Sequence, residues 1–407
     1  MPSFVFTFHE IKPYTMSLSQ SPQPLSWISA CYFFFFAILG VLVPYLGVFF
    51  EHRGFDAQQI GFLLAILMAT RIIAPNIWAA VADKTGMRGQ LVKLGSACSA
   101  VTFLTFFYHG GFIYLAVSLC IYTFFWNAIL AQLEVITLET LGDNSGGYGR
   151  IRSFGSLGYL VFVVSMGFGI SQWGTEILPF VGLGLFLALF GCSLSLPNTR
   201  IVVDKNIDSQ PLKIDKGIFW FLLSALLLQM SSGPFYGFFV LYLKQLGYTE
   251  FTAGVFVAFG VIAEIVMFMF APRLIGRYGV KFLLFVSVAM TAVRWLLMAF
   301  GAQYMLLLGL SQILHAFTFG LVHASSIQFV HQRFGVRHRS KGQALYASLS
   351  FGVGGALGTW LCGFIWGDGS QTWLCWAVAA GCAGLSMLAV LCIPKREQRN
   401  DNIQATS

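Results

Sequence analysis

From residue 27 to residue 393 the chain is a nearly continuous series of apolar runs, each long enough to cross a lipid bilayer, and this leaves very few folds open. A hydrocarbon core about 30 Å thick takes roughly 20 residues of helix. With no water to bond the backbone, each crossing must satisfy its own peptide groups, which an α-helix does. Runs of this kind fall at 27–50, 58–81, 90–108, 112–138, 151–172 and 175–196, and again at 216–243, 252–272, 281–300, 304–332, 343–366 and 373–393. Connections as short as 109–111 and 301–303 force neighbouring helices to run antiparallel. The expected fold class is an all-α membrane protein with twelve transmembrane helices. Composition agrees: only 10% of residues are charged, against about 25% in a soluble domain. Lipid must serve as solvent for most side chains.

The charges that remain are sorted by side. With the N-terminus inside, 20 of the 24 Lys and Arg fall on the cytoplasmic side, Arg53 and Lys244 fall outside, and Arg71 and Arg294 lie within helices. Basic residues gather on the cytoplasmic face of membrane proteins. The net charge of +8 is therefore a topology signal and not a nucleic-acid footprint. An even number of spans puts both termini in the cytoplasm, and a bacterial inner membrane is the expected location.

The two sets of six runs repeat at an offset of 193 residues. Gly40, Gly54, Gly61, Gly86, Gly142, Gly149, Gly174 and Gly191 match Gly233, Gly247, Gly254, Gly279, Gly335, Gly342, Gly367 and Gly384. Chance would supply roughly two such matches. The reading is two pseudo-symmetric six-helix bundles, 27–196 and 216–393, with a leader at 1–26, a linker at 197–215 and a tail at 394–407. The leader is expected to be a disordered cytoplasmic segment, with the true start at Met1 or Met16, since His9, Glu10 and Lys12 interrupt any signal-peptide core. The eight cysteines lie within apolar runs without metal or disulfide spacing and read as packing residues.

The first inner loop, Ala82-Asp83-Lys84-Thr85-Gly86-Met87-Arg88, has its counterpart in Gly276-Arg277-Tyr278-Gly279. The pair resembles the helix 2–3 signature of the major facilitator superfamily, in which Asp83, Gly86, Arg88, Arg277 and Gly279 would form a conformational latch. The stretch Tyr148-Gly149-Arg150-Ile151-Arg152-Ser153-Phe154-Gly155-Ser156, with Glu134 at the matching distance before Arg152, resembles the lactose permease group. So does Met267-Phe268-Met269-Phe270-Ala271-Pro272. Thr318 departs from that pattern, standing where the group has a proton-exchanging acid. A closer resemblance, over nearly the whole chain, is to the 3-phenylpropionate permease family. It rests on Arg71, Val261-Ile262-Ala263-Glu264, Val293-Arg294-Trp295, Gln312-Ile313-Leu314-His315-Ala316-Phe317-Thr318-Phe319 and His323. The resemblance implies a fold of two rocking halves and uptake of a small aromatic carboxylate.

The residues themselves point the same way. Ionised side chains at mid-bilayer cost about 2.5–3.5 kcal/mol on insertion scales, so each needs a partner or a wet cavity. Glu264 and Arg294 sit on consecutive antiparallel helices and are expected to pair. Such a pair is either a fixed structural bond or one that opens when Glu264 takes a proton. Gln312, His315, Phe319 and His323 follow α-helical spacing and predict one polar-aromatic stripe; their spacing is too wide for a zinc pair, so no metal site is expected. Arg71 has no partner on its own helix and is the natural clamp for a carboxylate, which Arg binds bidentately.

Asn127 and Glu134 share one helix face, as do Gln229, Ser232 and Tyr236. The expected function is proton-coupled uptake of a small aromatic carboxylate, or alternatively of a neutral sugar or nucleoside, by one chain acting alone. Glu264, Arg294, His315 and His323 would couple the proton. Arg71, Asn127, Glu134, Arg152, Ser156, Gln229, Tyr236 and Gln312 would line the substrate path. No cofactor beyond the proton gradient is expected. An embedded enzyme would require a nucleophile–base set that the chain lacks.

Overall fold

The computed structural model describes residues 25–142, 147–197 and 214–394, so the leader, linker and tail lie outside the described residues apart from their edges. The first half runs through α1 (Leu25–His52), α2 (Ala57–Thr85), α3 (Arg88–Phe107), α4 (Phe112–Leu141), α5 (Tyr148–Trp173) and α6 (Ile177–Ser193). The second half begins with α7, in three pieces, Lys216–Ser231, Gly233–Gly237 and Phe239–Gln245. It continues through α8 (Glu250–Tyr278), α9 (Val280–Gly301), α10 (Met305–Phe334), α11 (His338–Trp366) and α12 (Trp373–Leu391). Among the described residues, ten helices are long and apolar enough to cross a membrane. The sixth and seventh expected runs fall on shorter apolar helices, Ile177–Ser193 and Lys216–Ser231. The outer surface is apolar: Leu306 is 84% and Met269 71% exposed, an arrangement that suits lipid and would be a liability in water.

The repeat has a physical basis in chain reversals and caps. Asp56 accepts a hydrogen bond from Gln59 N at 2.8 Å and caps α2. Thr249, 193 residues on, accepts one from Thr252 N at 3.2 Å and caps α8. The turns before those caps need left-handed backbone, with φ of 85° at Gly54 and 87° at Gly247. The turns after α2 and α8 need it again, at Gly86 and Gly279, with φ of 66° and 79°. Only glycine adopts these angles without a steric penalty.

The halves meet through small residues. A Cβ at Gly363 of α11 would lie 2.5 Å from Ala57 O of α2, and a Cβ at Gly167 of α5 would lie 2.5 Å from Glu250 O of α8. Ala57 and Glu250 are again 193 apart, while the two glycines are 196 apart, so the contacts are pseudo-symmetric to within one helical turn. Close approach through glycine is how helices associate in lipid, where no hydrophobic force drives them together. α1 packs against α5, α6 and α7 and is buried along most of its length.

At this end the halves are also joined by an ion pair, Lys244 Nζ to Glu51 Oε2 at 2.8 Å. Ser171 Oγ adds a hydrogen bond from Phe251 N at 3.1 Å. Arg53 ties the loops of the first half together here, with two 2.6 Å bonds to Glu176 and donations to Phe106 O and Tyr108 O. The opposite, basic end holds Asp83 bonded to Arg88 at 2.8 Å, with Arg88 also donating to Gln132 at 2.8 Å. Both partners of the expected latch lie in the first half; Arg277 instead packs over the Tyr278 ring at 5.3 Å.

Two expectations about helix shape are corrected. The run 216–243 is interrupted at Ser232 and Phe238, where Gly233, Pro234 and Gly237 allow close approach to Gly358 and to α1 at Gly47. The continuous α-helix expected for α10 contains a π-helical turn, Ala316–Leu321, and a second π turn, Ser348–Gly354, lies in α11. Such turns change which face a following residue presents, and they concentrate at functional sites.

Candidate functional site

Arg294 on α9 is fully buried. Its Nη1 lies 2.9 Å from His315 Nδ1 and its Nη2 donates to Gln312 Oε1 at 3.3 Å, both residues on α10. The guanidinium also lies 4.4 Å from the Phe235 ring centroid and 4.5 Å from that of Trp295. On the far side of the imidazole, His315 Nε2 is 3.2 Å from Glu264 Oε2 on α8, within ion-pair distance but poorly aligned for a hydrogen bond. The link therefore runs Arg294–His315–Glu264, with His315 placed between the two charges expected to pair directly.

This order dictates a tautomer. A guanidinium has only donors, so His315 Nδ1 must accept and its proton sits on Nε2, facing the carboxylate. A proton placed on Oε2 of Glu264 would set a donor against that N–H, whereas one on the other oxygen would leave Oε2 able to accept it. In the first case the carboxyl turns away or His315 shifts its proton to Nδ1, and the second route breaks the bond to Arg294. The cluster thus offers a route from a proton on Glu264 to a displaced Arg294.

His323 continues the expected stripe. Beyond the π turn its Nδ1 is 3.5 Å from Tyr346 Oη of α11. Its ring stacks on Phe319, which in turn stacks on His315, at centroid distances of 5.7 and 6.0 Å. It borders a cavity with about 10 Å³ of free volume that also touches Gln229, Ser326 and Ser350, room for about one water.

Between the halves lies a second cavity, with walls from Val43 of α1, Tyr159 of α5, Phe235 and Tyr236 of α7, Val261 of α8 and His315 of α10. Its free volume is about 30 Å³, enough for about two waters and too little for an organic substrate, so the site is occluded in this conformation. Tyr236 Oη donates to Gln229 Oε1 at 3.3 Å, which joins the two cavities through one side-chain bond.

Arg71 on α2 is half-buried, with Tyr236 and Tyr122 within electrostatic reach. Among the described residues no hydrogen bond, ion pair or ring contact holds its guanidinium. Asn127 sits at the break within α4 and donates to Thr70 Oγ1 at 3.2 Å, one residue from Arg71. Ser156 is half-buried on α5. Glu134 and Arg152, which the resemblance to the lactose permease group would pair, are both buried but form no ion pair: the Arg152 guanidinium lies 4.0 Å from the Phe36 ring centroid and 5.6 Å from that of Tyr32. The rings explain the difference, since a cation over an aromatic face keeps favourable electrostatics without a carboxylate.

Sequence reasoning missed Phe235, Trp295 and Tyr346, because 16% of the chain is aromatic and no single ring stands out. It also missed the Glu51–Lys244 pair, for which a signal existed. The two positions are related by the repeat offset of 193, so their opposite charges can meet where both lie close to the pseudo-two-fold axis.

With this geometry in place, the comparisons with known proteins are informative. The family described as "MFS_1 like family" matches residues 25–378. Maltose permease of Geobacillus stearothermophilus is 25% identical over 381 residues, covering 90% of this chain and 94% of the permease. The probable 3-phenylpropionic acid transporter of Escherichia coli (strain K12) is 23% identical, covering 84% of this chain and 92% of the transporter. Among solved structures, the nucleoside transporter NupG superposes with a TM-score of 0.79 at 21% identity, over 92% of this chain and 99% of that one. The chain belongs to the MFS_1-like family of the major facilitator superfamily and is a multi-pass secondary transporter of that type.

Proposed function

We propose that the protein imports a small aromatic monocarboxylate together with a proton, by alternating access of the two halves. The observation that carries this reading is Arg71, a half-buried guanidinium with no partner among the described residues, beside Tyr236. Tyr236 also walls the apolar cavity that ends at His315. A molecule with a carboxylate at one end and an aromatic ring at the other matches this sequence of groups: the carboxylate on Arg71, the ring against Phe235 and Val261. Its ring would then touch the Arg294–His315–Glu264 cluster, which gives substrate a mechanical handle on the proton site.

In this reading Glu264 exchanges the proton, Arg294 and His315 set its surroundings, and Glu134 with Arg152 controls the basic end of the path. The basic end faces the cytoplasm of a bacterium, with both termini on that side. The conformation described here is closed at the Glu51–Lys244 end.

A second reading, transport of a neutral sugar or nucleoside, is favoured by the likeness to maltose permease and to NupG. Thermal stabilisation of the purified protein separates the two. Phenylpropionate and related acids should raise the unfolding temperature of the parent, and Arg71→Ala should fold normally but lose that response. Losing one side of a charge-assisted contact costs about 2–5 kcal/mol, at least tenfold in affinity. Stabilisation by maltose or a nucleoside and by no acid would establish the second reading.

A further inference from the structure

Among the described residues Glu264 and Glu134 are the carboxylates buried as whole residues, and the structure equips them very differently. Glu264 has His315 at 3.2 Å and, behind it, Arg294. Glu134, 4% exposed, has nothing comparable: its Oε1 is buried without a hydrogen-bond partner, and no ion pair reaches either oxygen among the described residues. The groups that face it are few. Tyr32 of α1 and Tyr148 and Arg152 of α5 lie within electrostatic reach. Arg88 of α3 is engaged by Asp83 and Gln132. Among the described residues Arg152 is the cation within electrostatic reach of Glu134, and its head rests on Phe36 and Tyr32.

A bare carboxylate in such a place is avoided by keeping its proton, whereas a guanidinium over two aromatic faces remains comfortable as a cation. We propose that Glu134 is a second proton-binding site of this carrier, neutral in the conformation described here. Its proton leaves toward the basic end when Arg152 lifts off the Phe36 ring and forms an ion pair with the carboxylate. The step balances: the O–H bond of Glu134 breaks, water on the basic side takes the proton, and the carboxylate gains Arg152 as counter-ion. Glu134 lies seven residues before the end of α4, about 10 Å at 1.5 Å per residue, so the path to that side is short. Arg152 is then a positioning residue whose place sets the charge of Glu134. The inference extends the carrier mechanism proposed above but is independent of which substrate is carried.

Infrared spectroscopy of the purified protein in deuterated buffer near neutral pH, without substrate, reads the protonated carboxyl directly through its carbonyl band. The parent and Glu264→Gln should show this band, and Glu134→Gln should lose it. Glu134→Gln should also unfold at the parent's temperature, because a neutral amide replaces a neutral acid of the same shape. As a second arm that keeps Glu134 in place, Arg152→Ala should leave the band unchanged. The proposal is overturned if the parent shows no band, if Glu134→Gln retains it, or if it first appears on removing Arg152. Since no substrate is present, these outcomes leave the reading of Arg71 untouched, and failure of acid binding leaves them untouched in turn.

Discussion

Replacing Arg294 by Ala is the perturbation whose cost the geometry fixes best. The guanidinium is fully buried, bonded to His315 and Gln312, and packed on two rings. Removing it strands the charge of Glu264, which then has His315 as its near partner. Breaking a buried ion pair from one side costs about 3–5 kcal/mol, mostly through the uncompensated charge left behind. The two ring contacts add about 0.5–2 kcal/mol. In the double variant Glu264→Gln with Arg294→Ala no charge is stranded, and what remains is lost packing. The double variant should therefore be more stable than Arg294→Ala alone by about 2 kcal/mol, a factor of roughly 30 in the ratio of folded to unfolded protein. The coupling lies within the range measured for side chains in one network. Equilibrium unfolding in mixed micelles, followed by tryptophan fluorescence for the parent, both single variants and the double, gives the cycle. Equal stability of the double variant and Arg294→Ala would refute the reasoning, because it would mean that Glu264 does not feel Arg294 through His315.

Three further outcomes are expected. Glu51→Lys should loosen the far end by like-charge repulsion with Lys244, and the swap Glu51→Lys with Lys244→Glu should restore it; the change is small, about 0.2–1 kcal/mol for an exposed pair, and is read as altered cysteine labelling of the cavity wall at Val43→Cys. A labelling rate blind to both variants would remove this pair from the closure. Glu176 is held below its ordinary pKa by its hydrogen bonds from Arg53, so its contribution to stability is complete above the ordinary carboxylate value and is lost as pH falls through the depressed one. Acid unfolding of Glu176→Gln should accordingly be flatter than the parent's over that window, and superimposable curves would contradict this. Reporter fusions after Ser407 and in the 244–251 loop should report opposite compartments, with matching compartments overturning the orientation.

Much of the architecture was legible because membrane helices must be long and apolar, and because reversals between them need left-handed backbone. Gly54, Gly86, Gly247 and Gly279 carry that requirement in the sequence itself. The charged centre was legible in its members but not in its order. Nothing in the spacing of Glu264, Arg294 and His315 says that the imidazole stands between the two charges; that follows from how α8, α9 and α10 pack. The π turn at Ala316–Leu321 was invisible, since backbone hydrogen-bond register leaves no residue signature, although the rings of His315, Phe319 and His323 still stack in series. The open Glu134–Arg152 pair was equally hidden, because Phe36 and Tyr32 compete for the cation and their relevance appears only once α1 and α5 are in contact.

The central claim is coupling of a proton to an aromatic acid through Glu264. It is tested most directly by accumulation of labelled phenylpropionate in proteoliposomes under an imposed proton gradient, set beside exchange between equal pools. The parent should accumulate the acid and a protonophore should abolish the accumulation, while Glu264→Gln should retain exchange and lose accumulation. Accumulation by Glu264→Gln equal to the parent's would contradict it, as would a parent that moves no acid while moving maltose or a nucleoside.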